Sequence, residues 1–199
     1  MNRLIPKIGA AIVMVTVFLF AVCLIADYSF GSFFVCMLLP IGYILMAAGL
    51  HLESAPERKA AANIALVFSA VYAVLIFLVY FAQVTSVRLD NLDDQALRIL
   101  DFKRGGLFFN YDLLGYGMMA LSTFFLGLSM KPESKADGWL KGLMMLHGVF
   151  FIGCFLLPMT SLFTAMADGG ASRGGVIALV GWCAYFLPIG ILGYRHFNQ

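Results

Sequence analysis

Six stretches of this chain, each about 20 residues long, are almost free of charged side chains. They cover about residues 8–26, 31–51, 60–83, 111–130, 139–164 and 174–194. Because a helix rises about 1.5 Å per residue, roughly 20 apolar residues cross the ~30 Å hydrocarbon core of a bilayer. The sequence therefore predicts an all-α fold, a six-helix transmembrane bundle that forms a single domain over residues 1–199.

Composition agrees with lipid as the solvent of this chain. Hydrophobic residues make up 62% of the sequence and charged residues 12%, against roughly 45–50% and about 25% in soluble domains. The apolar runs are unbroken, whereas barrel strands alternate polar and apolar residues, so helices are predicted and strands are not. A net charge of +2 without an aromatic-studded basic patch argues against nucleic acid as a partner.

Basic residues are distributed unequally between the two sides of the predicted bundle. With six spans both termini share one side, and that side carries eight of the 13 basic residues against four acidic ones. The eight are Arg3, Lys7, Arg58, Lys59, Lys131, Lys135, Lys141 and Arg195. Since positive charge in short loops is retained in the cytoplasm, both termini are predicted to be cytoplasmic.

One long segment, residues 84–110, connects the third and fourth spans on the predicted outer side. Asp90 or Asn91 is suited to cap a helix here, and Gly105-Gly106 to stop it. Its apolar residues recur at steps of three and four, which indicates an amphipathic helix on the membrane surface. Such a helix could cover a cavity as a lid or rest among the lipid headgroups, and the sequence leaves both interpretations open.

Polar and aromatic residues gather where the third and fourth spans meet this segment. The candidate ligand-binding residues are Tyr80, Gln83, Asn110, Asp112 and Tyr116, with Thr160, Ser161, Asp168 and Arg173 approaching the same side from spans five and six. Aromatic walls with a few amides and carboxyls are typical of a binding pocket. We expect an outward-facing pocket that binds or transports a small uncharged or amphipathic molecule, or a lipid. The alternative is an aromatic belt at the membrane interface.

Motifs for chemistry are largely missing from the sequence. We expect Asp112 at the end of a span, where the free-energy cost of keeping a charged side chain solvated is small. No charged residue is expected at the centre of any span, which argues against an ion-coupled carrier. His147 is expected to be a neutral histidine bonded between helices. The four cysteines stand singly in separate apolar runs, and we expect them to be buried small hydrophobic residues. They are Cys23, Cys36, Cys154 and Cys183. Neither a metal site nor a cofactor is predicted, and the sequence leans against an enzyme without excluding one.

Prolines and small residues suggest how the helices pack. Pro40, Pro158 and Pro188 should each kink a span. Leu39-Pro40-Ile41-Gly42 and Leu187-Pro188-Ile189-Gly190 share a tetrapeptide, but their flanks do not align, and we interpret the match as coincidence. The small residues that would let helices approach closely are Gly115, Ser122, Gly127, Gly138, Gly142, Gly148, Gly153, Ala178, Gly181 and Ala184.

Any face that remains after internal packing could serve a homodimer or a partner membrane subunit. The alternative function is accordingly a non-enzymatic interaction or sensory subunit that packs against another protein.

Two resemblances add to these expectations. Tyr80-Phe81-Ala82-Gln83 and Asn110-Tyr111-Asp112-Leu113-Leu114-Gly115-Tyr116-Gly117 resemble the third and fourth spans of small bacterial integral membrane proteins without an assigned function. That resemblance implies six spans in a bacterial inner membrane. The size, span number and long outer loop are also similar to substrate-binding subunits of energy-coupling-factor transporters, whose alanine-rich docking motif has Gly9-Ala10-Ala11 as its nearest match here.

Overall fold

The structure, a computed structural model, describes residues 3–160 and 171–199 of the chain. Nine α-helices occur in these residues, and no strand does. They are α1 Leu4–Ile25, α2 Ser29–Glu53, α3 Lys59–Val84, α4 Ser86–Leu89, α5 Asp94–Leu100, α6 Leu107–Ser129, α7 Lys135–His147, α8 Phe150–Leu156 and α9 Ala171–His196. Six helical segments are long and apolar enough to cross a membrane, so the predicted all-α, six-span architecture is confirmed.

The exposed middle of the bundle is apolar. Phe18 on α1, Val74 and Leu78 on α3, and Ile152 on α8 all point large hydrophobic side chains away from the protein. In water this surface would be strongly unfavourable, whereas hydrocarbon solvates it without cost. The chain is a multi-pass membrane protein on these grounds.

Consecutive long helices pack as antiparallel neighbours, and the last one returns to the first. The order around the bundle is α1, α2, α3, α6, then α7 with α8, and finally α9, which contacts both α7 and α1. We call the end that carries the chain termini the terminal end and the opposite one the distal end. The α4 and α5 helices lie at the distal end, between α3 and α6.

The closest helix contact joins α1 and α2 through glycines. A Cβ atom added to Gly9 would lie 2.6 Å from the Met46 backbone nitrogen and 2.7 Å from the Gly42 carbonyl oxygen. Gly190 on α9 meets α1 in a similar way, since its added Cβ would be 3.1 Å from the Met14 backbone nitrogen. Gly42 and Gly190, the glycines of the repeated tetrapeptide, therefore contact the α1 backbone from opposite sides.

The fifth span differs from the expected continuous helix. It is divided into α7 and α8 by a turn at Gly148 and Val149, and a 3-10 turn over Leu157–Met159 follows α8. Pro158 lies in that turn rather than inside a helix, so its expected kink is wrong; proline lacks the N–H that would continue α8. The predicted end of this span, residues 161–164, lies outside the described residues. Pro40 and Pro188 do lie inside α2 and α9.

At the terminal end, one histidine joins three helices. The His196 ring contacts Asp137 Oδ1 through Nδ1 at 2.7 Å and Glu53 Oε2 through Nε2 at 2.8 Å. Arg3 approaches the other Glu53 oxygen at 3.1 Å. These contacts tie α2, α7 and α9 to the start of α1. A cavity of about 500 Å³ lies beside them and is lined mostly by charged and polar side chains.

The glycine contact between α1 and α2 can be tested with two alanine substitutions. Gly9→Ala forces two backbones apart, so we expect the free energy of unfolding to fall by about 1–3 kcal/mol. The control is Gly142→Ala on α7, where an added Cβ meets nothing within 4 Å, and helix propensity should stabilise it by roughly 0.5–1 kcal/mol. Denaturant unfolding in detergent micelles measures both; equal effects of the two substitutions would contradict the contact.

Candidate functional site

Five aromatic rings from four helices fill the centre of the bundle. They are Tyr43, Tyr72, Tyr116, Trp182 and Phe186. Each ring contacts the next, with centroid distances of 5.7, 5.8, 5.2 and 5.0 Å, and Phe186 closes the circuit to Tyr43 at 6.5 Å. Aromatic side chains that interlock in this way leave their hydroxyl and indole N–H groups as the polar features of the interior.

Most of these polar groups have partners. The Tyr43 hydroxyl donates to Ser122 Oγ at 2.8 Å, and Ser122 in turn donates to the Ala65 carbonyl at 2.8 Å. The Tyr116 hydroxyl points to the Cys36 sulfur at 3.7 Å. These bonds connect α2, α3 and α6 in a region where water is not available to replace them.

His147 belongs to a second buried chain of hydrogen bonds. Trp182 Nε1–H donates to His147 Nε2 at 3.0 Å, and His147 Nδ1 lies 2.8 Å from Thr123 Oγ1. Because the threonine hydroxyl donates to the Ala120 carbonyl, the histidine must donate from Nδ1 and accept at Nε2. The prediction of a neutral histidine bonded between helices is confirmed, and both nitrogens are already occupied.

Asp112 lies deeper than the sequence suggested. Its side chain is 3% exposed, although we expected it at a solvated span end. That expectation is wrong because α6 begins at Leu107, about one turn before the predicted start, and so carries Asp112 into the bundle. Tyr80 is the side chain that acts most directly on its carboxyl, and no lysine, arginine or histidine with a described side chain does so, a set that leaves out residues 171–173. An aspartate buried in a membrane protein without a cationic neighbour is costly to ionise.

Four side chains from three helices surround this carboxyl. They interact electrostatically with it and with each other. We call Asp112, Cys36, Tyr72, Tyr80 and Tyr116 the Asp112 cluster. All five are buried, and Tyr72 and Tyr116 also belong to the central aromatic circuit.

Two atoms of the Asp112 cluster lack a hydrogen-bond partner. Throughout the described residues, Tyr72 Oη and Asp112 Oδ1 are the buried side-chain atoms left without one. They also act on each other electrostatically, so they lie in the same small region. An unpaired buried polar group costs about 1–3 kcal/mol, so two of them in one region call for an explanation.

The structure brings together only part of the predicted site. Tyr80, Asp112 and Tyr116 belong to the Asp112 cluster. Asn110 is half-buried in the first turn of α6, and its side chain makes no hydrogen bond with the described part of the chain. Gln83 is buried but faces the connecting segment. Of the residues expected from spans five and six, Ser161 and Asp168 lie outside the described residues.

Gln83 fixes the connecting segment to α3. Its Nε2 donates to the Leu100 carbonyl at 2.7 Å, and its Oε1 accepts from the Phe102 backbone N–H at 3.0 Å. Phe102 thereby places its ring 5.8 Å from Phe33 and 6.0 Å from Tyr80. The segment thus covers the Asp112 cluster from the distal end, with Phe102 directly above Tyr80.

The amphipathic helix in this segment is shorter than predicted. Asp93, rather than Asp90 or Asn91, caps α5 by accepting from the Ala96 N–H. The helix ends at Leu100 because Asp101 turns to an extended conformation and caps a separate 3-10 turn. Gly105 then adopts a left-handed conformation, with φ 66°, that leads into α6.

The solvent side of α5 carries an ion-pair network. Asp94 contacts both Arg98 and Arg104. Hydrogen bonds from the Arg104 and Arg98 guanidinium groups hold the pKa of Asp94 below its usual range. The pairs are exposed, so they orient the segment more than they stabilise it.

Cys36, Tyr72 and Trp182 were not among the predicted site residues. Tyr72, Ile76, Tyr80 and Gln83 are spaced by four, four and three residues, so the helical period could have extended the site from Tyr80 back to Tyr72. Nothing in the local sequence of α2 or α9 connects Cys36 or Trp182 with Asp112, because that proximity depends on how the helices are ordered around the bundle.

Several glycines that we expected to pack internally instead face outward. Gly115 and Gly127 do receive neighbouring helices, as predicted. An added Cβ would meet nothing within 4 Å at Gly138, Gly142 or Gly181. The expectation is wrong for these three positions because α7 and α9 turn that face away from the bundle.

The anchoring role of Gln83 gives a direct test. Gln83→Ala removes both contacts to the segment, and we expect hydrogen exchange of the amides of residues 94–104 to accelerate by about tenfold or more. Exchange in α2 and α6 should stay unchanged. The matched control is Gln95→Ala, which removes an exposed glutamine from α5 itself. Equal protection in the two variants would show that Gln83 does not hold the segment.

Comparison with known proteins supplies no further assignment: no protein-family model, curated protein or solved structure matches this chain.

Proposed function

We propose that this chain binds, and moves, a small uncharged or amphipathic molecule at the Asp112 cluster, reached from the outer leaflet of a bacterial cytoplasmic membrane. The observation that carries the proposal is the pair of unpartnered buried atoms, Tyr72 Oη and Asp112 Oδ1. A ligand with a polar head placed between them would satisfy both atoms, while the surrounding rings contact its apolar body.

The orientation of the bundle supports entry from outside. Arg58 and Lys141 donate to the Met130 carbonyl at the terminal end, so basic side chains concentrate there. Positive charge retained on the cytoplasmic side leaves the distal end, with its connecting segment, facing outward. The Asp112 cluster lies nearer that end, because Asp112 follows the start of α6 by only five residues.

The connecting segment acts as a lid in this proposal. Phe102 lies over Tyr80, and two hydrogen bonds of Gln83 hold it in place. Opening needs the loss of these contacts and of few others, since no residue of α5 is buried. A lid held by a small number of bonds opens often enough to admit a ligand.

A thermal-shift screen of the purified chain against metabolites and lipids tests this function. A ligand at 100 times its dissociation constant should add about 2.7 kcal/mol of stability. Asp112→Asn and Tyr72→Phe should each weaken that ligand by about tenfold or more. Tyr43→Phe is the control, because Tyr43 belongs to the same aromatic circuit but already has a partner in Ser122. If every ligand found bound both site variants as tightly as the unsubstituted protein, the proposed site would be wrong.

A second candidate function is self-assembly through the outward glycine face. Gly138 and Gly142 on α7 are one helical turn apart and open to the surroundings, the spacing that lets two membrane helices cross closely. A second copy of the chain would bury this face around a two-fold axis.

Light scattering of the chain in detergent, with the detergent mass subtracted, tests assembly. Gly142→Phe should convert a dimer to a monomer, because the added ring separates the two helices. Val67→Phe, at an exposed position of α3, serves as the matched control. A monomer in the unsubstituted protein would exclude this function.

A further inference from the structure

Among the side chains that the structure describes, which do not include those of residues 161–173, no cationic group balances the Asp112 carboxyl. Tyr80 is the side chain that acts on it most directly, and the neighbours that it influences are tyrosines and cysteines. Ionising a buried carboxyl without a counter-charge costs several kcal/mol, so burial favours the neutral acid form of Asp112. The proton is then the only counter-charge that the described part of the protein supplies.

We infer that the ligand of the Asp112 cluster carries a protonated amine, and that its binding displaces the Asp112 proton. The inference rests on the proposed function and narrows its ligand class from uncharged or amphipathic molecules to amphipathic organic cations. In the exchange a carboxylic acid and an ammonium ion become a carboxylate–ammonium pair, and one proton leaves to solvent. The site stays neutral before and after binding.

The acceptors of the Asp112 cluster match an ammonium group. An alkylammonium has up to three donors and no acceptor. Asp112 Oδ1 lacks a donor, and the Tyr72 hydroxyl oxygen, also without a partner, can accept beside it. A neutral hydroxyl would satisfy the same two atoms with Asp112 still protonated, so its binding would release no proton.

The rings around the Asp112 cluster also favour a cation. Tyr72 and Tyr116 lie with centroids 5.8 Å apart, and Trp182 lies 5.2 Å beyond Tyr116. Ring faces attract ammonium groups, most strongly when water is excluded. A carboxylate combined with several aromatic faces is therefore selective for an organic cation over a hydrated alkali ion.

Other candidate sites are weaker. In the cavity at the terminal end, Glu53 and Asp137 already pair with Arg3 and His196. The described residues contain no group of three or more histidine, cysteine or acidic side chains able to hold a metal ion. His147 is fully bonded in its neutral form.

Calorimetry with a matched pair of probes tests the inference on the full chain in lipid nanodiscs. The probes are hexylammonium and 1-hexanol, which share an alkyl chain and differ in charge. Titrations in two buffers of different ionisation enthalpy count the protons released. We expect hexylammonium to bind with release of one proton, and its affinity to rise about tenfold per pH unit while Asp112 is protonated in the free protein. 1-Hexanol should bind at least tenfold more weakly.

Variants separate the site from partition into lipid. Asp112→Asn should abolish both saturable hexylammonium binding and proton release, and Tyr72→Phe should weaken binding by about tenfold. Asp90→Asn, which removes an exposed carboxyl of the connecting segment, should change neither. Thermal unfolding of each variant verifies its fold. If Asp112→Asn does not fold, the affinity of Tyr72→Phe for hexylammonium still tests the site.

Each outcome decides between the two proposals. Binding of 1-hexanol or another neutral ligand that depends on Asp112 and releases no proton overturns the amine inference and leaves the proposed function standing. Amine binding unaffected by Asp112→Asn and Tyr72→Phe, with no ligand of the screen sensitive to them, overturns both proposals.

Discussion

Hydrocarbon offers no hydrogen bonds, and every polar group within this bundle has to be satisfied by the protein itself. Helices meet that requirement for the backbone. For the side chains, two relays do so: Tyr43 to Ser122 to the Ala65 carbonyl, and Trp182 to His147 to Thr123. Asp112 Oδ1 and Tyr72 Oη are exceptions, because they are buried without a hydrogen-bond partner among the described residues. The proposed function is based on these two atoms.

Architecture was largely predictable from the sequence because span length and apolar composition are local properties. The boundaries of α2 and α3 follow from the apolar runs and their charged ends. The start of α6 does not, since Leu107–Asn110 resembles the end of a loop until Gly105 is known to turn left-handed and Gly106 to precede the helix. That one-turn difference moved Asp112 from a solvated position to a buried one.

The candidate site was only partly predictable, for a physical reason. Tyr80, Asp112 and Tyr116 belong to adjacent spans, α3 and α6, and their proximity follows from the chain order. Cys36 comes from α2, and no local pattern shows that its face meets α6. Gln83 was predicted as a ligand-binding residue, but an amide next to a loop can bind a ligand or the loop itself, and the Leu100 and Phe102 contacts show that it binds the loop.

The repeated Leu-Pro-Ile-Gly tetrapeptide holds α1 from both sides. Gly42 contacts it from one side and Gly190 from the other, while His196 ties α9 to α2 beside Arg3. The ring of helices therefore closes only where α9, far from α1 in the sequence, reaches it. A hairpin of α1 and α2 without α9 would leave the flank of α1 that meets Gly190 exposed to lipid.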